Sequence, residues 1–173
     1  MANDTWRTPP EVIDYIENRF GKIALDLCAS DAGHVCENYI THIGDFLSHE
    51  TLMSHDGSIH GDDLSWMNPP YSNPLPFVKQ AIKWSEMGYA VAGILNNDSS
   101  TRWFTELERN AQILMPIVGG RIAFLDGDGQ PINGNNKPQI MFYLAPFGSY
   151  VRITESVGID EIYTNGKPKK ATK

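Results

Sequence analysis

Short apolar segments that alternate with helix-like segments constrain the fold of this chain more than any other feature. Each apolar segment has the length of a strand and is followed by polar residues or by apolar residues at helical spacing. The predicted strands cover residues 23–27, a weaker stretch at 35–40, then 64–67 and 89–95. Strands that alternate with helices are typical of a parallel sheet with crossover connections, so the first half of the chain predicts an α/β fold.

Three helices are predicted from apolar spacing and from the residues at their ends. The first begins after Thr8, which can act as a cap, carries prolines in its first turn and ends at Gly21. The other two cover residues 76–87 and 101–109. These helices supply connections between the predicted parallel strands.

The second half of the chain predicts an antiparallel addition to the sheet. An apolar segment at 113–118 is followed by segments at 121–125 and 139–144, with the turn-rich residues 126–138 between the last two. We expect 121–125 and 139–144 to pair as a hairpin with a long connection. The predicted architecture is therefore a mostly parallel sheet with a C-terminal antiparallel hairpin.

The composition fits a single globular domain. A chain of 173 residues with 41% hydrophobic content can bury a substantial core, and we assign residues 1–163 to one domain. Residues 164–173 form a basic tail that is predicted to be disordered. No apolar run approaches the ~20 residues of a membrane-spanning helix, and the N-terminus lacks the apolar core of a signal peptide. A cytoplasmic location is expected.

Neither the cysteines nor the histidines form a metal-binding pattern. Cys28 and Cys36 are too few for a zinc site or a disulfide framework. Of the five histidines, four lie between His42 and His60 without a repeated ligand spacing. We therefore expect no metal site, and the cysteine content fits a reducing compartment.

The charge distribution argues against nucleic-acid binding over the whole surface. The net charge is −7, and four of the 14 Lys and Arg residues lie in the last seven positions. Residues 1–163 carry the other 10 against all 21 Asp and Glu residues, a net charge of −11. Binding to phosphates would have to use local cations, the basic tail or a partner.

The tetrapeptide Asn68-Pro69-Pro70-Tyr71 is the most specific chemical signal in the chain. The side-chain oxygen of Asn68 and the backbone carbonyl of Pro69 can accept both hydrogens of a planar amino group, as methyl transfer to that nitrogen requires. The prolines fix φ and keep these acceptors in place, while Tyr71 offers a flat face for an extruded base. The alternative is a simple strand-to-loop turn, which Asn and Pro also favour.

Three polar or turn-like segments begin where predicted strands end, at 26–33, 68–71 and 96–100. The carboxyl ends of parallel strands lie at one edge of a sheet, and ligands bind in the crevice there. This coincidence favours a functional site over a simple turn at residues 68–71.

The ordered series of motifs resembles the S-adenosylmethionine-dependent N6-adenine DNA methyltransferases, especially the compact phage-type (Dam-like) members. The motifs are TPPEV at 8–12, LDLCAS at 25–30, GDFL at 44–47, DLSWMNPPY at 63–71, TRWF at 101–104, GRIAF at 120–124 and KPQ at 137–139. The resemblance covers roughly residues 5–146. It implies a Rossmann-like methyltransferase fold, S-adenosylmethionine as cofactor and an adenine-specific, site-specific DNA methyltransferase with residues 68–71 as its catalytic motif.

The resemblance also implies a cofactor site. In it Thr8 and Pro9 touch the methionine end, Asp26 receives the ammonium or ribose region, and Asp45 with Phe46 binds the adenine. Three small residues let the backbone approach the cofactor: Cys28, Ala29 and Ser30. The alternatives are that Asp26 caps a helix, that Asp62 replaces Asp45, that Asp45 and Phe46 are an ordinary loop and core pair, and that Glu37 reaches the ribose. The glycine-rich segment of many methyltransferases is absent after the first strand.

Arg102, Trp103 and Arg121 are the candidates for contact with double-stranded DNA, through phosphate pairing or stacking. Burial at the start of a helix is the alternative for Trp103 and is the favoured interpretation for Phe104. The chain has no room for a separate target-recognition domain. Loops, a homodimer partner or an accessory recognition subunit would supply sequence selection. Amino-group methylation of RNA or of a protein glutamine, and an inactive binding module, remain alternatives.

Overall fold

The computed structural model describes residues 6–30, 33–41, 46–48, 63–132 and 135–165. Its helices are α1 (Pro10–Phe20), α2 (Leu75–Glu86), α3 (Arg102–Asn110) and α4 (Ile159–Asn165). Its strands are β1 (Ile23–Asp26), β2 (Leu64–Met67), β3 (Ala90–Asn96), β4 (Ile113–Val118), β5 (Gln139–Leu144), β6 (Ile153–Thr154) and β7 (Val157–Gly158).

The strands form one mixed sheet in the order β1-β2-β3-β5-β4-β6, and β7 also pairs with β4. The pairs β1–β2 and β2–β3 are parallel, whereas β5 runs antiparallel to both β3 and β4. The α/β prediction, with a mostly parallel sheet and an antiparallel component, is confirmed. The carboxyl ends of β1, β2, β3 and β4 consequently share one edge of the sheet.

The predicted hairpin between 121–125 and 139–144 is wrong in its first strand. Strand β5 pairs instead with β3 and β4, where Leu114 and Met115 lie opposite Phe142 and Met141. Leu125 makes only isolated bridges, to Arg7 and Pro131. Ile122 and Phe124 are fully buried, whereas Arg121 and Ala123 are exposed, and this alternation resembles that of a strand.

Two further predictions need adjustment. Residues 35–40 form bends and one bridge, Asp26 to Tyr39, rather than a regular strand. Helix α4 extends to Asn165, so it contains Thr164, where the tail was expected to begin. Residues 166–173 lie outside the described part of the chain.

The predicted helices lie within one or two residues of their expected bounds. Helix α1 has Pro9 at its cap position, and no side chain caps it, so Thr8 does not have the capping role predicted for it. Gly21 ends this helix with a φ of 111°, which favours glycine. Helix α3 is capped by Thr101, whose side-chain oxygen accepts the N–H of Phe104.

The hydrophobic core occupies both faces of the sheet. Along β3, Val91 and Leu95 pack on one face, while Ala92 and Ile94 pack on the other. The indole N–H of Trp84 in α2 donates to the hydroxyl of Ser65 in β2 at 3.1 Å, which ties this helix to the sheet. No helix in the described ranges is long and apolar enough to cross a membrane.

Candidate active site

The tetrapeptide at residues 68–71 leaves the sheet at the end of β2, between its neighbouring strands. Met67, the last residue of β2, pairs with Gly93 of β3. A Cβ on Gly93 would lie 2.5 Å from the Met67 carbonyl oxygen and 2.5 Å from the Phe142 ring. The absence of a side chain at Gly93 therefore allows the close strand approach that fixes where the tetrapeptide begins.

The Asn68 amide is held in a defined orientation by a distant part of the chain. Its nitrogen Nδ2 donates to the backbone carbonyl of Trp6 at 3.2 Å. Because the nitrogen is engaged in this way, the amide oxygen Oδ1 is left to accept a hydrogen from a ligand. The tetrapeptide motif predicts this oxygen as an acceptor for a hydrogen of the target amino group.

A cavity of about 240 Å³ lies beside the tetrapeptide at the carboxyl edge of the sheet. It brings together seven of the predicted site residues: Thr8, Asp26, Cys28, Ala29, Ser30, Asn68 and Pro70. The rest of its lining comes from Trp6, Arg7, Gly33, Val35, Ile40, Thr41, Trp66 and Phe77. We call this space the first cavity.

Asp26 is the buried carboxylate of the first cavity, with 4% of its surface exposed. One oxygen accepts the Cys28 N–H at 3.2 Å, and the other accepts the Val35 N–H at 3.1 Å. Burial raises the pKa of this carboxyl to about 6, against the opposing effect of these hydrogen bonds and of His34. Asp26 thus ties Cys28 to Val35 after β1, and no helix begins within the described residues 27–30 and 33–41 for it to cap.

Of the remaining predicted cofactor residues, Pro9 and Phe46 are described by the structure, and neither belongs to the lining of the first cavity. Phe46 is fully buried, with its ring centroid 6.3 Å from that of Phe77, which lines the first cavity. Pro9 occupies the cap position of α1. Asp45 and its rival Asp62 lie outside the described residues, and Glu37 is exposed.

A second cavity, of about 350 Å³, lies on the other side of the tetrapeptide. It is lined by Tyr71, Ser72, Asn73, Pro74, Leu75, Leu95, Asn96, Asp98, Thr101, Arg102, Trp103 and Lys137. Asn68 and Pro70 line the first cavity and Tyr71 lines the second. The tetrapeptide therefore separates two spaces at the same edge of the sheet.

Tyr71 presents part of its ring to the second cavity and the rest to the core. The ring meets Phe124 edge-on, with centroids 6.1 Å apart and an interplanar angle of 83°. Its hydroxyl is buried and has no hydrogen-bond partner among the described residues. Burial raises the pKa of this phenol far above its usual value, so Tyr71 stays neutral.

Two of the three candidates for nucleic-acid contact line the second cavity, and the third does not. Arg102 is exposed and lines the second cavity. Trp103 also lines this cavity, with 7% of its surface exposed. Phe104 is only partly buried. Burial had been expected of Phe104 more than of Trp103, and the structure shows the reverse. Arg121 is exposed and belongs to the lining of neither cavity.

Several lining residues were not identified from the sequence. Trp6 and Arg7 of the first cavity come directly before the Thr8-Pro9 motif, and Lys137 of the second lies in the segment at 137–139 that carries part of the resemblance. Their positions within or directly beside the motifs at 8–12 and 137–139 could have identified them as site residues. No described residues form a cluster that could hold a metal ion.

The chain matches the family model described as DNA N-6-adenine-methyltransferase (Dam) over residues 1–168. It is 36% identical, over an alignment of 188 residues, to the DNA N-6-adenine-methyltransferase of Escherichia phage T1, covering 98% of this chain and 75% of that relative. It is also 36% identical, over 167 residues, to the DNA N-6-adenine-methyltransferase of Haemophilus phage HP1 (strain HP1c1), covering 94% and 91% of the two chains. No solved structure matches the chain.

Proposed function

Because the chain belongs to the Dam family of DNA N6-adenine methyltransferases, we propose that its first cavity binds S-adenosylmethionine and that residues 68–71 hold the target adenine. The observation that carries this assignment is the position of Asn68. It lines the first cavity, three residues before Tyr71 of the second, and its amide nitrogen is already engaged by the Trp6 carbonyl.

The residues of the first cavity fit the chemistry of this cofactor. Asp26 supplies a buried carboxylate for an ammonium or for ribose hydroxyls, and charge-assisted hydrogen bonds of this kind are strong. Ala29, Ser30 and Gly33 are small, so the backbone can approach a ligand closely. Thr8 lines the same space, and we propose Pro9, Asp45 and Phe46 as neighbours of the cofactor. When bound, S-adenosylmethionine supplies an electrophilic methyl group.

The target base enters from the second cavity in this proposal. An adenine inside a duplex is inaccessible, so it must first leave the base stack. The exposed part of the Tyr71 ring then offers a stacking surface, and Trp103 contributes a second aromatic wall. Asn68 Oδ1 and the Pro69 carbonyl accept the two hydrogens of the amino group, and Pro70 keeps the loop rigid.

Positioning accounts for most of the catalysis. The amino nitrogen needs no strong general base, since its proton becomes acidic once the nitrogen is alkylated. Holding the nitrogen and the methyl donor in line from opposite sides of one loop converts the reaction into an effectively unimolecular step. The short, buried strand β2 provides the rigid support for that loop.

Local cations compensate for the acidic body in DNA binding. Arg102 and Lys137 line the second cavity, where they can meet phosphates flanking the target base. We propose Arg121 as a further DNA contact and the domain at 1–163 as the catalytic unit, acting in the cytoplasm of a phage host. A homodimer partner or an accessory recognition subunit would supply additional sequence selection.

The test supplies tritiated S-adenosylmethionine with unmethylated DNA, total RNA and cell-extract protein in parallel. Label is expected in DNA, recovered as N6-methyladenine, and it should disappear in Asn68→Ala. The control variant is Asn110→Ala, whose amide nitrogen donates to the Glu106 carbonyl within α3; Asn110 lines neither cavity, so this variant should keep full activity. Label confined to RNA or protein would contradict the substrate, and full activity in Asn68→Ala would contradict the role of Asn68.

A further inference from the structure

Arg7 is held at the wall of the first cavity by its backbone and by its side chain. Its N–H and its carbonyl each hydrogen-bond to Leu125, both at 2.9 Å. Its guanidinium nitrogen Nη2 donates to the Gly127 carbonyl at 2.8 Å. The residue is therefore held in place by contacts within the chain, and a guanidinium retains further N–H groups for another acceptor.

The stem of the Arg7 side chain lies against Gly33. Gly33 exchanges two backbone hydrogen bonds with Ser30, of 3.2 and 2.9 Å. A Cβ on Gly33 would lie 2.6 Å from Arg7 Nε and 2.9 Å from Arg7 Cδ. A glycine at this position thus leaves room for the arginine side chain at the cavity wall.

Two opposite charges line the first cavity without neutralising each other. Among its described lining residues, Arg7 and Asp26 are the charged ones. They form no ion pair with each other, since the ion pair in the described part of the chain joins Arg19 and Glu155. A partly buried cation and a buried anion facing one space are complementary to a ligand that carries both charges.

We propose that Arg7 binds the carboxylate at the amino-acid end of the cofactor while Asp26 receives the ammonium of the same group. This inference rests on the proposed binding of S-adenosylmethionine in the first cavity. An arginine suits a carboxylate because its planar fork can donate two parallel hydrogen bonds. The pair would orient the amino-acid end and thereby set the direction of the methyl group toward Asn68.

A purely structural role is the competing explanation, because the Arg7 side chain also packs against Gly33 and donates a hydrogen bond to the carbonyl of Gly127. The two roles differ in which ligands they affect. A binding role affects only ligands that carry the carboxylate, whereas a structural role affects every ligand of the cavity. S-adenosylhomocysteine has this carboxylate, and 5′-methylthioadenosine keeps the adenine, the ribose and the sulfur without it.

The experiment measures the affinity of both compounds by calorimetry for the wild type, Arg7→Gln and Arg7→Lys. Arg7→Gln should weaken S-adenosylhomocysteine on the order of 10- to 100-fold, the scale of a lost hydrogen bond to a charged group, and leave 5′-methylthioadenosine unchanged. Arg7→Lys should lose less, because it keeps the charge without the fork. Arg109→Gln at the opposite edge of the sheet is the matched control.

Equal losses for the two compounds in Arg7→Gln would overturn the assignment and leave Arg7 a structural residue. If the wild type binds neither compound, the proposed cofactor itself fails. A second measurement needs no variant: the wild type should bind the carboxyl methyl ester of S-adenosylhomocysteine at least about 10-fold more weakly than the free acid. Equal binding of ester and acid would also contradict the proposal.

Discussion

The buried hydroxyl of Tyr71 makes a prediction that separates stability from catalysis. The hydroxyl has no hydrogen-bond partner among the described residues, and the ring is packed against Phe124. Replacing Tyr71 by Phe removes that oxygen and preserves the ring. We therefore expect Tyr71→Phe to be at least as stable as the wild type and to keep most of its methyltransferase activity.

The expected gain follows from the cost of burying a polar group without a partner, about 1–3 kcal/mol. Part of it is offset because the departing oxygen leaves unfilled space, so we expect a net gain of about 1 kcal/mol in the free energy of unfolding. For a chain of this size that corresponds to an increase of about 2–4 °C in the melting temperature.

Tyr15→Phe is the matched control. The Tyr15 hydroxyl accepts from Arg19 at 3.2 Å and donates to Glu161 at 3.3 Å, so its removal should lower the free energy of unfolding by about 1–2 kcal/mol. Urea denaturation of the three proteins, with methyl-transfer rates measured in parallel, gives both comparisons. A loss of stability in Tyr71→Phe as large as in Tyr15→Phe would refute the argument, and a large loss of activity would show that the hydroxyl takes part in the reaction.

Two further predictions concern the support of the site. The pKa of Asp26 is raised from 3.8 to about 6, because the folded protein buries this carboxyl and favours its protonated form. The free energy of unfolding should therefore be highest below about pH 4 and should fall as the pH rises through 6. The fall in the free energy of unfolding between pH 4 and pH 7 is on the order of 3 kcal/mol. Urea denaturation at these two pH values should show this difference in the wild type and not in Asp26→Asn. Cofactor affinity, measured by calorimetry over the same pH range, should fall below pH 6, where the carboxyl is protonated. An affinity that does not change with pH would exclude Asp26 as an ionised ligand. Gly93→Ala should cost about 1–3 kcal/mol and lower the rate of methyl transfer, because its Cβ would meet the Met67 carbonyl. Gly158→Ala, whose Cβ would meet nothing closer than the Glu161 Cβ at 4.0 Å, should change neither the stability nor the rate.

The sequence allowed most of the strands, and the meeting of several candidate residues at one edge of the sheet, to be predicted because those features depend on local patterns. The strand at Leu64–Met67 and the position of Asn68 after it follow from an apolar run that stops at a proline-rich segment. Asp26 was predicted at the end of the first strand because a segment of small and polar residues begins there. Both residues line the first cavity as the strand-end rule requires.

The features that were missed depend on contacts between distant parts of the chain. Arg7 reaches the first cavity because its backbone pairs with Leu125, and its side chain bonds a residue 120 positions away. Trp6 meets Asn68 across 62 positions. The order of the strands was likewise not encoded locally: an alternating pattern at Ile122 and Phe124 predicted a strand, but the continuous apolar run of β4 took the place beside β5.

The position of β5 has a consequence for how the chain is made. This strand, Gln139–Leu144, lies between β3 and β4 and is hydrogen-bonded to both. While a ribosome is still synthesising residues before 139, β3 and β4 have no strand between them, and each presents an open edge to other nascent chains. The sheet can close only when β5 emerges and inserts. Fragments that end before residue 139 should therefore aggregate rather than fold, and premature termination would yield no partly active enzyme.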